Sequence, residues 1–139
     1  MTTIQLMLTG HVWIVATLIP LLDRWLSLRR LLAVATPPAR LRPYRSVPVE
    51  RIVQVVLRRL RNPHHMRRRA CLRRGLMLFH FLRLSGRAAA LHIGMLNNAD
   101  APRLQGHCWV SLNGRPVAET PPADLAALLV IPGGCGEDL

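Results

Sequence analysis

The chain has no lysine. All 19 of its basic residues are arginine, against 7 acidic ones, and the formal net charge is +12. Aromatics are scarce as well: 2 Phe, 3 Trp and 1 Tyr among 139 residues, so aliphatic side chains must carry any core. The same scarcity removes the stacking platforms that hold single-stranded nucleic acids, and no nucleic-acid-binding motif occurs. No Cys-x-x-Cys pair exists. The 3 cysteines, Cys71, Cys108 and Cys135, match neither a disulfide framework nor a zinc ligand set. A reducing cytoplasm is the compartment they suggest. No basic region and no small-residue cleavage site accompany the uncharged stretch from Ile4 to Leu22, which argues against a signal peptide. That stretch also contains Gln5, Thr9, His11, Thr17 and Pro20. It therefore reads as a buried helix, kinked or ended near Pro20, rather than a membrane span. No internal repeat is visible.

What is present divides into three parts. Residues 1–48 hold one or two apolar helices, with Leu21, Leu22, Trp25, Leu28 and Leu32 at helical spacing, followed by a proline-rich linker through Pro37, Pro38, Pro43 and Pro48. Trp13 and Trp25 read as core. Residues 49–130 hold the main domain. Val49 to Leu60 is an amphipathic helix with Ile52, Val55, Val56 and Leu60 inward, ended by Asn62-Pro63. A second helix from Cys71 to Leu84 is apolar nearly all round and stops at Gly86. Strands follow over Ala88–Met95, His107–Leu112 and Arg115–Glu119, the last two joined at Asn113-Gly114. Asp124 to Val130 reads as a short helix. Residues 131–139, rich in glycine, form a loose tail.

The chemistry gathers at three residues. Cys71 begins the apolar helix, where unpaired N–H groups and the helix dipole favour a thiolate, and Arg67, Arg68, Arg69, Arg73 and Arg74 add positive field. A buried, inert thiol is the plainer reading of a lone cysteine. His107 opens a strand after Gly106, with Trp109 on the same face. An imidazole there could take the thiol proton and return it to a leaving amine. Glu119 could hold that imidazole in the useful tautomer. Hairpin geometry tests this last role. A three-residue loop, Leu112-Asn113-Gly114, sets His107 opposite Glu119. A two-residue loop with regular pairing sets His107 opposite Thr120 and turns Glu119 to the other face. The catalytic reading thus expects the longer loop. His11, His80 and His92 read as satisfied structural residues. His64-His65 with Cys71 lacks a fourth metal ligand.

Taken in order, these residues resemble the lasso peptide biosynthesis leader peptidases, stand-alone cysteine proteases of the transglutaminase-like superfamily. The resemblance rests on Cys71-Leu72-Arg73-Arg74-Gly75-Leu76, then Gly86, Leu91-His92-Ile93-Gly94, His107-Cys108-Trp109-Val110, Asn113-Gly114 and Glu119. It covers about residues 50 to 120. Cys108 stands where the family has a small residue, and Glu119 where it usually has Asp. The resemblance implies an α+β papain-like, transglutaminase-like fold, with the cysteine at the N-terminus of a central helix packed on a small antiparallel sheet. It implies a Cys71 nucleophile, a His107 acid–base and a Glu119 orienter, cleaving a leader from a ribosomally made precursor peptide without metal or organic cofactor. It implies two partners, a leader-recognition protein and a macrolactam cyclase. Two alternatives without catalysis remain: a basic nucleic-acid binder, or a membrane-peripheral protein built on Ile4 to Leu22 and the arginines that follow.

Overall fold

The computed structural model describes residues 2–61, 70–96, 105–118 and 125–131. Four helices come first: α1 (Thr3–Trp25), α2 (Leu28–Ala35), α3 (Val49–Leu60) and α4 (Ala70–Leu84). Four strands follow: β1 (Ala89–Leu96), β2 (Gln105–Leu112), β3 (Arg115–Val117) and β4 (Leu125–Ile131). They form one antiparallel sheet in the order β3-β2-β1-β4. The architecture is α+β, with α4 central as its apolar circumference requires.

The helices end where local chemistry ends them. Pro48 caps α3, whose Ile52, Val56 and Leu60 are buried at helical spacing. Past α4 the chain turns through Gly86 at φ +79°, a left-handed conformation that a side chain would strain. There the Arg87 N–H reaches the Leu82 carbonyl and the Gly86 N–H the Arg83 carbonyl, closing a Schellman motif. Between α1 and α2 the break falls at Leu26-Ser27. The Ser27 hydroxyl accepts the Arg30 N–H at 3.4 Å and starts α2.

Leu76, Met77, Phe79, Phe81 and Leu82 of α4 are fully buried, or nearly so. They join Leu8, Val12, Ala16 and Ile19 of α1, the α3 stripe, and Ala89, Leu91, Cys108 and Val110 of the sheet in a single hydrophobic cluster. Helix α1 does not stop at Pro20. It runs on to Trp25 even though an interior proline removes a backbone hydrogen bond, at a cost of about 3 kcal/mol. Packing of Ile19 and Leu22 against the core holds the last turns in place.

Several expectations from the sequence need correction. Helix α1 is not buried all round: Leu6, Met7, Trp13, Ile14, Leu18, Leu21 and Trp25 are exposed. Both Trp13 and Trp25 therefore lie outside the core. The segment read as a helix from Asp124 to Val130 is instead β4, paired with β1 from Leu91↔Ile131 to Leu96↔Leu125. Leu and Ala favour helix by only tenths of a kcal/mol per residue, and an open sheet edge outweighs that preference. Finally, the β2–β3 loop has two residues, since Leu112 pairs with Arg115. Asn113 (φ +51°) and Gly114 (φ +77°) make a type I′ turn, the tight form that suits the twist of a hairpin. The return strand is also shorter than expected, ending at Val117.

Candidate active site

Cys71 lies in the first turn of α4 and is half-buried. One turn further along, the helix comes so close to β2 that only glycine fits. A Cβ on Gly75 would stand 2.7 Å from the Cys108 sulfur and 3.1 Å from Leu91 Cδ1. Gly75 is thus present despite the cost of glycine inside a helix, because it lets α4 lie directly on Cys108. Cys108 itself is buried, and the next residue back along β2 is His107. The contact that seats the helix is therefore adjacent to the imidazole.

Seated in this way, Cys71 Sγ lies 3.3 Å from His107 Nδ1. The two residues are 36 apart in sequence, and the fold brings them together. Gly94 is the cross-strand partner of His107, so β1 places no side chain directly opposite the ring. The imidazole stacks on Trp109, with centroids 6.0 Å apart. Trp109 stacks in turn on His92 at 5.0 Å, nearly parallel. His92 Nε2 is paired with the Ser111 hydroxyl at 2.7 Å, and burial lowers its pKa, which favours the neutral ring. This layered row along β1 and β2 fixes the plane of His107. The Arg74 guanidinium also donates to Cys71 Sγ, at 3.7 Å.

A cleft of about 500 Å³ opens over the pair. Its walls are Leu72 of α4, Ile93, Gly106 and Cys108 of the sheet, and a side the sequence did not reveal: Asp23, Leu26, Ser27 and Leu28 from the α1–α2 corner. Asp23 reaches Arg73 at 3.4 Å, and both side chains are almost wholly enclosed. The corner is thereby tied to the helix that carries Cys71. The signal for it was the Ser27 cap, which turns the chain back over α4. Arg74, read from sequence only as part of a general field, is in contact with the sulfur.

Glu119 lies outside the described residues, as do His64, His65 and Cys135. The two-residue turn takes away the register that would have put Glu119 opposite His107. Yet regular pairing also ends before Glu119 is reached, at Val117, and Ala118 then adopts φ +71°. The ladder therefore does not determine which face Glu119 takes. With Nδ1 directed to the sulfur, Nε2 is the ring nitrogen that an orienting carboxylate would address.

A half-buried thiol against an imidazole, below an open cleft, is an arrangement able to carry out nucleophilic acyl transfer. No curated protein and no solved structure matches the chain. A family model does, from residue 8 to residue 132, and it covers all of the helices and the sheet apart from the first residues of α1. The chain belongs to the transglutaminase-like superfamily, a cysteine-protease-like fold whose members are commonly peptidases or transferases.

Proposed function

We propose that this chain is a cysteine peptidase that removes the leader from a ribosomally made lasso precursor peptide. The observation that carries the reading is the 3.3 Å approach of Cys71 Sγ to His107 Nδ1 at the floor of an open cleft. The ordered motifs from Cys71 to Glu119 supply the narrower assignment to leader removal. In this reaction His107 takes the Cys71 proton, and the thiolate attacks the carbonyl carbon at the leader–core junction. Negative charge moves to the carbonyl oxygen. The Cys71 backbone N–H, one of the first four of α4 and so without an acceptor inside the helix, is a donor for it. His107 then protonates the departing amine as the C–N bond breaks. A thioester to the leader remains, and water, deprotonated by His107, hydrolyses it. Glu119 would orient the imidazole.

A leader-recognition protein would deliver the substrate, and a macrolactam cyclase would consume the freed amine. The arginine-rich surface suits an acidic leader or the delivery protein. The reaction takes place in the cytoplasm and needs no metal or organic cofactor.

The test is mass spectrometry of a precursor incubated with the chain and its delivery protein. Wild type releases the leader; Cys71→Ala and His107→Ala do not; Glu119→Gln is slowed. Full cleavage by Cys71→Ala would rule the reading out. Full biological function in Cys71→Ala, together with binding that weakens steeply with salt, would point instead to a nucleic-acid binder.

A further inference from the structure

The exposed face of α1 is the largest feature that the cleft chemistry leaves unexplained. Leu6, Met7, Trp13, Ile14, Leu18, Leu21 and Trp25 are 45–78% exposed and follow one side of the helix. At 1.5 Å per residue, Leu6 to Trp25 makes a stripe about 28 Å long. No charged side chain interrupts α1 before Asp23. Soluble monomers rarely leave so continuous an apolar strip uncovered.

The strip has a cationic border. Exposed Arg24, Arg29 and Arg30 cluster at its C-terminal end around Trp25, the most exposed of its residues at 78%. Along its flank, Arg58 is exposed and the Arg59 guanidinium lies 3.6 Å from the Trp13 ring centroid. Among the described residues, acids do not balance these charges. Asp23 and Glu50 are the sole acidic residues among those described, and Asp23 is turned inward to Arg73. Apolar side chains bordered by arginine and tryptophan match the acyl and headgroup layers of an anionic membrane. A second copy of the chain is a poor occupant, because pairing would bring together two bodies of net charge +12.

By length and composition α1 could cross a bilayer. Its opposite face, however, is packed into the core through Leu8, Val12, Ala16 and Ile19. Only one side can meet lipid, so the helix must lie along the surface. We infer that α1 docks edge-on to an anionic lipid bilayer. Since Leu26 and Leu28, just past Trp25, also wall the cleft, docking holds the Cys71–His107 site at the membrane surface.

Co-sedimentation of the full chain with vesicles tests this. At low salt it pellets with phosphatidylglycerol vesicles and much less with phosphatidylcholine ones. The variant Ile14→Glu/Leu18→Glu, altered only at exposed positions, keeps its circular dichroism and partitions about tenfold more weakly. Replacing Arg24, Arg29 and Arg30 by Gln removes the preference for the anionic lipid. Tryptophan emission shifts to the blue on binding, by less in Trp25→Ser. The inference fails if wild type stays in the supernatant with phosphatidylglycerol. It fails also if the double-Glu variant binds equally well, or if that variant instead splits a dimer formed without lipid.

Discussion

Two imidazole clusters share α4, and they differ in what their ring nitrogens meet. On the helical side, His80 Nδ1 pairs with the Ala35 carbonyl at 3.0 Å, and His11 Nδ1 with the buried Tyr44 hydroxyl at 2.7 Å. Phe81 lies edge-on to both rings, at 5.0 and 5.1 Å. Desolvation lowers both histidine pKa values, and the proximity of His11 lowers that of His80 further. On the sheet side, His107 meets a sulfur beneath an open cleft. A histidine whose nitrogen is committed to structure holds elements together; one facing a nucleophile can move a proton. Their sequence contexts already separate them: His80 falls in an apolar helical stretch, nine residues past Cys71, whereas His107 opens a strand after a glycine.

The largest test of that contrast is catalytic. His107→Ala and Cys71→Ala are expected to lower precursor cleavage by at least about 10³-fold, with unchanged thermal unfolding. His80→Ala should do the reverse: a lower melting temperature, and cleavage per folded molecule close to wild type. Rate assays paired with calorimetry decide it.

Next in size is thiol reactivity. Iodoacetamide should modify Cys71 at least about tenfold faster than Cys108, which is 3% exposed. Peptide mapping reads the difference, and unfolding in guanidinium should abolish it. Equal rates in the native protein would mean that the sheet does not shield Cys108.

A smaller effect tests the seat of the helix. Gly75→Ala usually helps a helix, yet here it should cost about 1–3 kcal/mol, because the new methyl collides with the Cys108 sulfur. Adding Cys108→Ala should restore most of the loss in chemical denaturation. Additive losses would refute the contact.

The smallest effect is on pH. His80 and His11 have folded-state pKa values below 6.5, so the unfolded chain binds protons first as pH falls. Stability is thus full above about pH 6.5 and declines as pH drops toward the folded values. Melting temperatures measured from pH 7.5 to 5 should fall, and His80→Asn, which can still donate to Ala35, should flatten the slope.

Much of this was readable from local chemistry. Helix α3 has the predicted bounds, with Pro48 at its N-cap, and Gly86 ends α4 for a reason visible in one residue. The Cys71–His107 pairing was legible because a thiol at a helix start and a histidine at a strand start are each distinctive. Strand β4 was not legible, since an unbroken Leu-Ala run is equally a buried helix, and only the vacant edge of β1 decides. The register of the β2–β3 hairpin depends on one residue of loop length, to which composition is blind. The inner and outer sides of α1 are nearly equal in hydropathy, so only α3 and α4 reveal which one is covered. The cleft's fourth wall needed the bend at Ser27 to be seen in three dimensions.

That bend has a practical consequence. The Asp23–Arg73 bridge and the leucines beside it make the greasy leading segment a structural side of the cleft. It cannot be trimmed off as a solubility nuisance without uncovering Cys71 and His107. Anyone wanting a well-behaved protein in dilute buffer should keep the segment and repaint only its outward side.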